Sequence, residues 1–171
     1  LGVSFLAGGK HARYATHNRL LGLADGLYLE VIAADPNASC DGARWFGLDK
    51  FSGPPRLANW ICEPDGFHKF MVYGMRKVSM ERGDLRWDIG VPEDGSLPLG
   101  GGFPTILHWH TDKPPGRSLD PSGCALQTLT IAHPQAAVIK NALSSNLTDP
   151  PSRFVVAQEI PVPSLYTLRR C

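Results

Sequence analysis

The dipeptide Asp25-Gly26 constrains the fold of this chain more than any other feature. Asp-Gly is a tight-turn signal, and apolar, β-branched or aromatic residues flank it on both sides. After the turn, successive side chains point to opposite faces, as they do in a β-strand. One face carries Leu27, Leu29 and Val31, and the other carries Tyr28, Glu30 and Ile32. The pattern predicts an antiparallel hairpin of two strands, 15–23 and 26–33.

The rest of the chain alternates strand-like and short helix-like segments. A helix is predicted over 64–73, because Pro64 and Asp65 are favourable in a first turn. A second helix is predicted over 134–143 from its apolar spacing, and a short helical turn is expected around Trp45. Further strands are predicted at 56–62, 85–91, 103–110, 126–132, 153–160 and 165–169.

This order of elements predicts an α+β fold with structural repeats. We expect one domain over residues 1–171, in which 1–55 ends a first module, 56–112 is a second βα unit and 123–171 is a C-terminal βαββ unit. Residues 1–5 resemble the end of a helix, so an upstream strand and helix are expected to belong to the natural protein. Such a chain would leave a sheet edge unpaired, which favours a homodimer.

Charge and cysteine content exclude several classes of partner. The 17 basic and 16 acidic side chains leave a net charge of +1, which gives no broad positive field for nucleic acid. No stretch approaches the roughly 20 apolar residues that span a membrane. The four cysteines are scattered without metal-binding spacing, which is typical of reduced thiols and predicts a cytoplasmic location.

Several strings in order resemble the glyoxalase-like domain family of the vicinal oxygen chelate superfamily. They are THNRLL at 16–21, LYLEVI at 27–32, RWFGL at 44–48, RGDLRW at 82–87, VPEDG at 91–95 and PTILHW at 104–109. The resemblance implies βαβββ modules that form a curved mixed sheet around a cavity. It also implies a divalent metal there (Zn, Ni, Fe or Mn), which would polarise vicinal oxygens of a substrate. One expected ligand, a histidine on the first strand of such a fold, is not matched in this chain.

Glu30 is the first candidate for chemistry. It lies among apolar neighbours on a predicted strand, where an ionised carboxylate is costly unless it is paired or bound to a cation. The family resemblance implies a metal-ligating glutamate at this position. Glu30 is therefore a candidate metal ligand and catalytic base, and the alternative is a solvated residue paired with Arg19.

Three histidines are candidate metal ligands. His108 and His110 are two residues apart on a predicted strand, so both imidazoles project from one face, while His17 could supply another imidazole. Asn18 falls on the face opposite His17 and is a candidate substrate-binding residue. The alternative for each histidine is an ordinary structural or exposed side chain. The remaining histidines are expected to be structural or exposed: His11, His68 and His133.

Three tryptophans on different predicted strands are candidates for an apolar substrate pocket, with core packing as the alternative: Trp60, Trp87 and Trp109. The leading hypothesis is a metal-dependent lyase, isomerase or dioxygenase-type enzyme for a small oxygenated metabolite. The rivals are a binding protein of the same fold that captures a small ligand without chemistry, and a domain whose role is assembly.

Overall fold

The computed structural model describes residues 2–144, 154–157 and 166–170. The first of its three sheets is antiparallel with the order β1-β2-β3. Its strands are β1 (Leu6–His11), β2 (Thr16–Gly22) and β3 (Tyr28–Ala34). The hairpin predicted at Asp25-Gly26 is confirmed, since β2 pairs with β3 and Asp25 adopts a left-handed φ of 61° in the turn.

The second sheet has the order β4-β7-β6-β5, in which β4 is parallel to β7 and the other neighbours are antiparallel. Its strands are β4 (Ile61–Cys62), β5 (Met75–Arg82), β6 (Leu85–Pro92) and β7 (Thr105–Trp109). β4 comes first in the chain and pairs in parallel with β7, the last strand of the β5-β6-β7 meander. This unit therefore has the connectivity of a βαβββ module. A short 3-10 helix takes the place of the α-helix.

The third sheet has the order β10-β8-β9. Its strands are β8 (Cys124–Ala132), β9 (Phe154–Ala157) and β10 (Tyr166–Arg170). The two α-helices are α1 (Pro115–Ser118) and α2 (Ala136–Ser144), and α2 connects β8 to the parallel strand β9. The 3-10 helices are Ala12–Tyr14, Ala24–Gly26, Trp45–Lys50, Phe67–Phe70 and Pro98–Gly101. The predicted α+β class with mixed sheets is confirmed.

Three predictions about local structure are wrong in whole or in part. The strand expected over 56–62 is limited to β4, Ile61–Cys62. The helix expected over 64–73 is only the 3-10 helix Phe67–Phe70, because Gly66 precedes it with a left-handed φ of 82° and Tyr73 follows with a φ of 54°. Residues 2–5, expected as the end of a helix, have no helical structure and lead into β1. Two strands, β1 and β5, were not predicted at all.

Apolar clusters pack the sheets together. One cluster lies under α2 and consists of Phe67, Phe70, Met75, Phe103, Ile106, Ile139 and Leu143. A second lies between the first and second sheets and consists of Tyr14, Trp45, Trp87, Ile89, Val91 and Leu107. In the described part of the chain, no helix is both long and apolar enough to cross a membrane.

Candidate functional site

A narrow cleft lies between the inner faces of the first and second sheets. The space inside it that is open to the centre of a water molecule is about 30 Å³, and the cleft also opens to solvent. This is about the room that one or two water molecules need. Side chains from both sheets, from the 3-10 helix after Arg44 and from α1 line it: His11, Asn18, Leu20, Tyr28, Glu30, Trp45, Phe46, Ile61, Arg82, Trp87, Ile89, Leu107, Trp109 and Pro115.

Glu30 lies in this cleft because its alternation on β3 turns it to the same face as Tyr28 and away from Val31. The residue as a whole is partly exposed, but its carboxyl lies deep in the cleft, and burial raises the pKa of this carboxyl above its usual range. A hydrogen bond from Asn18 and the charge of Arg82 act in the opposite direction but are the smaller effects. Glu30 is therefore a carboxyl that takes up a proton more readily than an exposed glutamate.

Asn18 is buried, and hydrogen bonds to one backbone group and one side chain fix its orientation. The backbone N–H of Gly9 donates to Asn18 Oδ1 at 2.7 Å, which identifies that atom as the oxygen. The Asn18 Nδ2 then donates to Glu30 Oε1 at 2.6 Å. Among the described residues, Asn18 is the one hydrogen-bond donor to the Glu30 carboxyl, so the other oxygen of that carboxyl faces the cleft without a protein donor.

His11 lies at the end of β1 and is 6% exposed. Its Nε2 is 2.9 Å from Arg82 Nη1, and its Nδ1 is 3.2 Å from Thr16 Oγ1. Arginine can only donate, so Nε2 accepts and the proton of the neutral ring is on Nδ1, where it donates to Thr16. Burial, followed by the charge of Arg82, lowers the pKa of His11 to about 4. This imidazole is therefore neutral at physiological pH.

Arg82 is the last residue of β5 and reaches from the second sheet onto the first. Besides His11, it donates to Asn18 Oδ1 at 3.4 Å. Its side chain lies against Gly9, where an added Cβ would be 2.5 Å from Arg82 Cδ. A glycine at this position of β1 thus leaves the space through which the guanidinium enters the cleft.

Aromatic rings form the remaining walls. The Trp45 ring stacks on Tyr14 at a centroid distance of 4.3 Å and on Phe46 at 4.8 Å. Trp87 and Trp109 contact each other at 5.3 Å on the opposite wall. Trp87 and Trp109 thus line the cleft, whereas the third candidate, Trp60, packs against the apolar cluster under α2.

The three candidate histidine ligands lie outside the cleft. His17 is exposed on the face of β2 opposite Asn18. His108 and His110 share one face, with ring centroids 4.9 Å apart, but Leu107 and Trp109 take the inner face of β7. On the outer side, His108 Nδ1 is 3.0 Å from Glu63 Oε1, and His110 Nε2 is 3.1 Å from Asp88 Oδ2.

The described residues of the cleft do not form a ligand set for a divalent metal. No group of three His, Cys, Asp or Glu side chains with suitable geometry occurs in the described part of the chain. In the cleft, Glu30 is the one carboxylate, and the Nε2 lone pair of His11 is already taken by Arg82. A guanidinium this close also repels a second cation. These side chains do not fit the metal that the family resemblance implies.

Sequence reasoning missed His11 and Arg82 as residues of the cleft. Neither β1 nor β5 was predicted, so His11 was expected to be structural or exposed and Arg82 received no role. The signal that could have found them is the pair Gly8-Gly9 directly before His11. Adjacent glycines within a strand indicate a bulge or a close approach of another chain segment.

Comparisons with known proteins agree with this fold. A family model described as glyoxalase-like domain matches residues 1–147. A hypothetical protein from Staphylococcus aureus has a similar structure, with a TM-score of 0.50 and 12% sequence identity over 83% of this chain. The chain spans 65% of the length of that protein. No curated protein matches at a significant level. Because the family model covers most of its length, the chain belongs to the glyoxalase-like domain family of the vicinal oxygen chelate superfamily.

Proposed function

We propose that the cleft binds a small oxygenated metabolite and that Glu30 transfers a proton to and from it, as a lyase or isomerase requires. The observation that carries this proposal is the Glu30 carboxyl itself. It faces the cleft, it is held through one oxygen by Asn18, and burial raises its pKa. A carboxyl with a raised pKa is better matched to proton transfer near neutral pH than an exposed one.

The geometry fits removal of a proton from a carbon beside a carbonyl group. Asn18 holds Oε1 of the Glu30 carboxyl and leaves the second oxygen to accept that proton. Burial raises the pKa of this carboxyl, which makes it a stronger base than an exposed glutamate. Glu30 then returns the proton to another position of the same ligand or to a leaving group.

A metal-dependent form of this chemistry, which the family resemblance implies, needs ligands in addition to Glu30. The described residues place none beside it, so Glu30 alone carries the proton transfer. Metal analysis of the purified protein tests this choice. A bound divalent metal in stoichiometric amount that is lost on changing Glu30 to Gln would support the metal-dependent lyase, isomerase or dioxygenase instead.

The test of the proton-transfer role is Glu30→Gln, which keeps the shape and removes the ionisable group. Wild-type protein should exchange the carbon-bound protons of small oxo compounds such as hydroxyacetone or pyruvate for deuterium in D2O, measured by proton NMR. Loss of a general base typically costs about 10²–10⁴ in rate, so exchange in Glu30→Gln should fall by at least about 100-fold.

The matched control for this experiment is Glu81→Gln, which removes an exposed carboxylate from the face of β5 opposite Arg82. Glu81→Gln should exchange at the wild-type rate. Unfolding temperatures of both variants should be no lower than that of wild type at pH 8, since neither loses an essential contact. Equal exchange in wild type and Glu30→Gln would contradict the role of Glu30.

The aromatic walls support a second candidate, a binding protein that captures a small ligand without chemistry. Trp45, Phe46, Trp87 and Trp109 give the cleft a largely apolar lining with few polar groups. Ligand binding by wild type without any Glu30-dependent exchange would favour this candidate. A homodimer and a cytoplasmic location stay predictions, which light scattering and cell fractionation would test.

A further inference from the structure

The guanidinium of Arg82 places a positive charge inside the cleft. Arg82 is half-buried, and its guanidinium contacts the ring of His11 at 2.9 Å and the side-chain oxygen of Asn18 at 3.4 Å. Both partners are uncharged: the His11 ring accepts a hydrogen bond from Arg82 through Nε2, and Asn18 is an amide. In the described ranges, no carboxylate lies within 4.0 Å of this guanidinium.

A half-buried guanidinium is usually hydrogen-bonded to a carboxylate, because burying a charge without an ion-pair partner is costly. In this cleft, by contrast, the neighbouring residues keep the hydrogen-bond partners of Arg82 neutral. Thr16 holds the proton of His11 on Nδ1, and this turns the Nε2 lone pair towards Arg82. Gly9 leaves the space that the Arg82 side chain occupies. The guanidinium is thus held by hydrogen bonds to neutral groups. Its charge acts on the Glu30 carboxyl across the cleft, but no carboxylate of the described residues forms an ion pair with it, so donors remain for a ligand.

We propose that Arg82 forms an anion subsite in the cleft and that the ligand of this protein carries a carboxylate. This inference rests on the proposed function, since it names the substrate class for the same cleft. The planar guanidinium matches a carboxylate with two parallel hydrogen bonds.

In this arrangement Arg82 supplies the positive charge beside the ligand's oxygens. Arg82 binds the carboxylate, and Glu30 lies on the facing sheet with its free oxygen towards the same cleft. A 2-oxo acid places a carbonyl directly beside its carboxylate, so the guanidinium that binds the carboxylate also stabilises negative charge on the neighbouring oxygen. The cleft is therefore assigned to small 2-oxo or 2-hydroxy carboxylic acids.

The test compares pyruvate with pyruvamide, which has nearly the same shape but no charge, by the fluorescence of the tryptophans that line the cleft. Wild type should bind pyruvate at least about tenfold more tightly than pyruvamide, because a hydrogen bond to a charged group is typically worth this much. Arg82→Met should remove the preference, and Arg82→Lys should bind pyruvate with an intermediate affinity. Arg19→Met, which removes an exposed arginine from the outer face of β2, is the matched control and should bind like wild type.

Three outcomes would overturn the proposal. They are equal affinity of wild type for pyruvate and pyruvamide, equal pyruvate affinity of Arg82→Met and Arg19→Met, and tighter binding of inorganic phosphate than of pyruvate. The comparison within wild type decides the question even where Arg82→Met does not fold. If pyruvate binds through Arg82 but no exchange depends on Glu30, the anion subsite stands and the proton-transfer function fails.

Discussion

At the scale of single residues, His11 connects two elements through its two ring nitrogens. Nδ1 donates to Thr16, which also accepts a hydrogen bond from Trp45 at 3.1 Å, and Nε2 accepts from Arg82. A protonated ring could not accept from the guanidinium and would place two cations in contact. The low pKa of about 4 is the thermodynamic consequence of this position.

This pKa predicts a specific loss of stability in mild acid. Between about pH 6.5 and pH 4, the unfolded chain binds a proton at His11 and the folded chain does not, so stability falls as the pH is lowered through this range. The effect amounts to up to about 3 kcal/mol. His11→Gln lacks the titrating group and should lose less stability than wild type between pH 7 and pH 5, measured by chemical denaturation.

NMR titration provides the direct check on His11. The ring should stay neutral down to about pH 4. Glu30 also titrates with a shifted pKa, but it is present in both proteins and cancels in the comparison. A midpoint for His11 near its usual value of 6.5, or the same pH dependence of stability in wild type and His11→Gln, would show that the ring is not held neutral by burial.

At the scale of elements, the important feature is the irregularity in β1. Ala7 pairs with Arg19, but Lys10 pairs with His17, so β1 has one residue more than β2 between these pairs. The two glycines, at positions 8 and 9, lie within this bulge. The bulge lets β1 approach both Asn18 and Arg82 closely, so the local irregularity positions the polar groups of the cleft.

The two glycines of the bulge should respond differently to alanine. A Cβ at position 8 would lie 2.5 Å from the backbone oxygen of Asn18, which cannot move without breaking the β1–β2 pairing. Gly8→Ala should therefore lower the free energy of unfolding by about 1–3 kcal/mol. A Cβ at position 9 meets only the Arg82 side chain, so Gly9→Ala should cost less stability but weaken pyruvate binding. Denaturation and tryptophan fluorescence measure the two effects, and the opposite ranking of stabilities would contradict this account.

At the scale of the whole molecule, apolar packing joins sheets that few backbone hydrogen bonds connect. The cluster under α2 combines residues of the second sheet, of the 3-10 helix Phe67–Phe70, of the segment before β7 and of the helix that follows β8. Phe103, Ile106 and Ile139 are completely buried there, each with 0% exposure. This packing holds the C-terminal unit against the second sheet, and the cleft lies on the other side of that sheet.

Alanine substitutions at Ile139 and at its neighbour Val138 together test this packing. Ile139 is 0% exposed and Val138 is 50% exposed on the same helix. Ile139→Ala should destabilise the protein by about 2–5 kcal/mol. Val138→Ala should change stability by no more than about 0.5 kcal/mol. Chemical denaturation measures both, and similar values for the two variants would mean that α2 does not pack on this cluster in solution.

Local patterns by themselves determined the β2–β3 hairpin, the strand β6 and the helix α2. Each depends on interactions close in sequence: a turn at Asp25-Gly26, alternation along one strand, or apolar residues at helical spacing. The same alternation turned Asn18 and Glu30 to one face and His17 to the other, so this part of the cleft was open to prediction. The glyoxalase-like family also followed from strings within these elements.

Tertiary structure alone decided the rest of the cleft. β1 and β5 have weak patterns of their own and form through pairing with β2 and β6, and the contact between His11 and Arg82 joins residues 71 apart in sequence. Alternation placed His108 and His110 on one face of β7, but alternation alone does not determine which face of a strand is buried. The packing of Leu107 and Trp109 against the first sheet turned both histidines outward. Contacts between distant segments depend on which apolar surfaces are buried against each other. The free energy of this burial depends on the whole fold and not on any one segment.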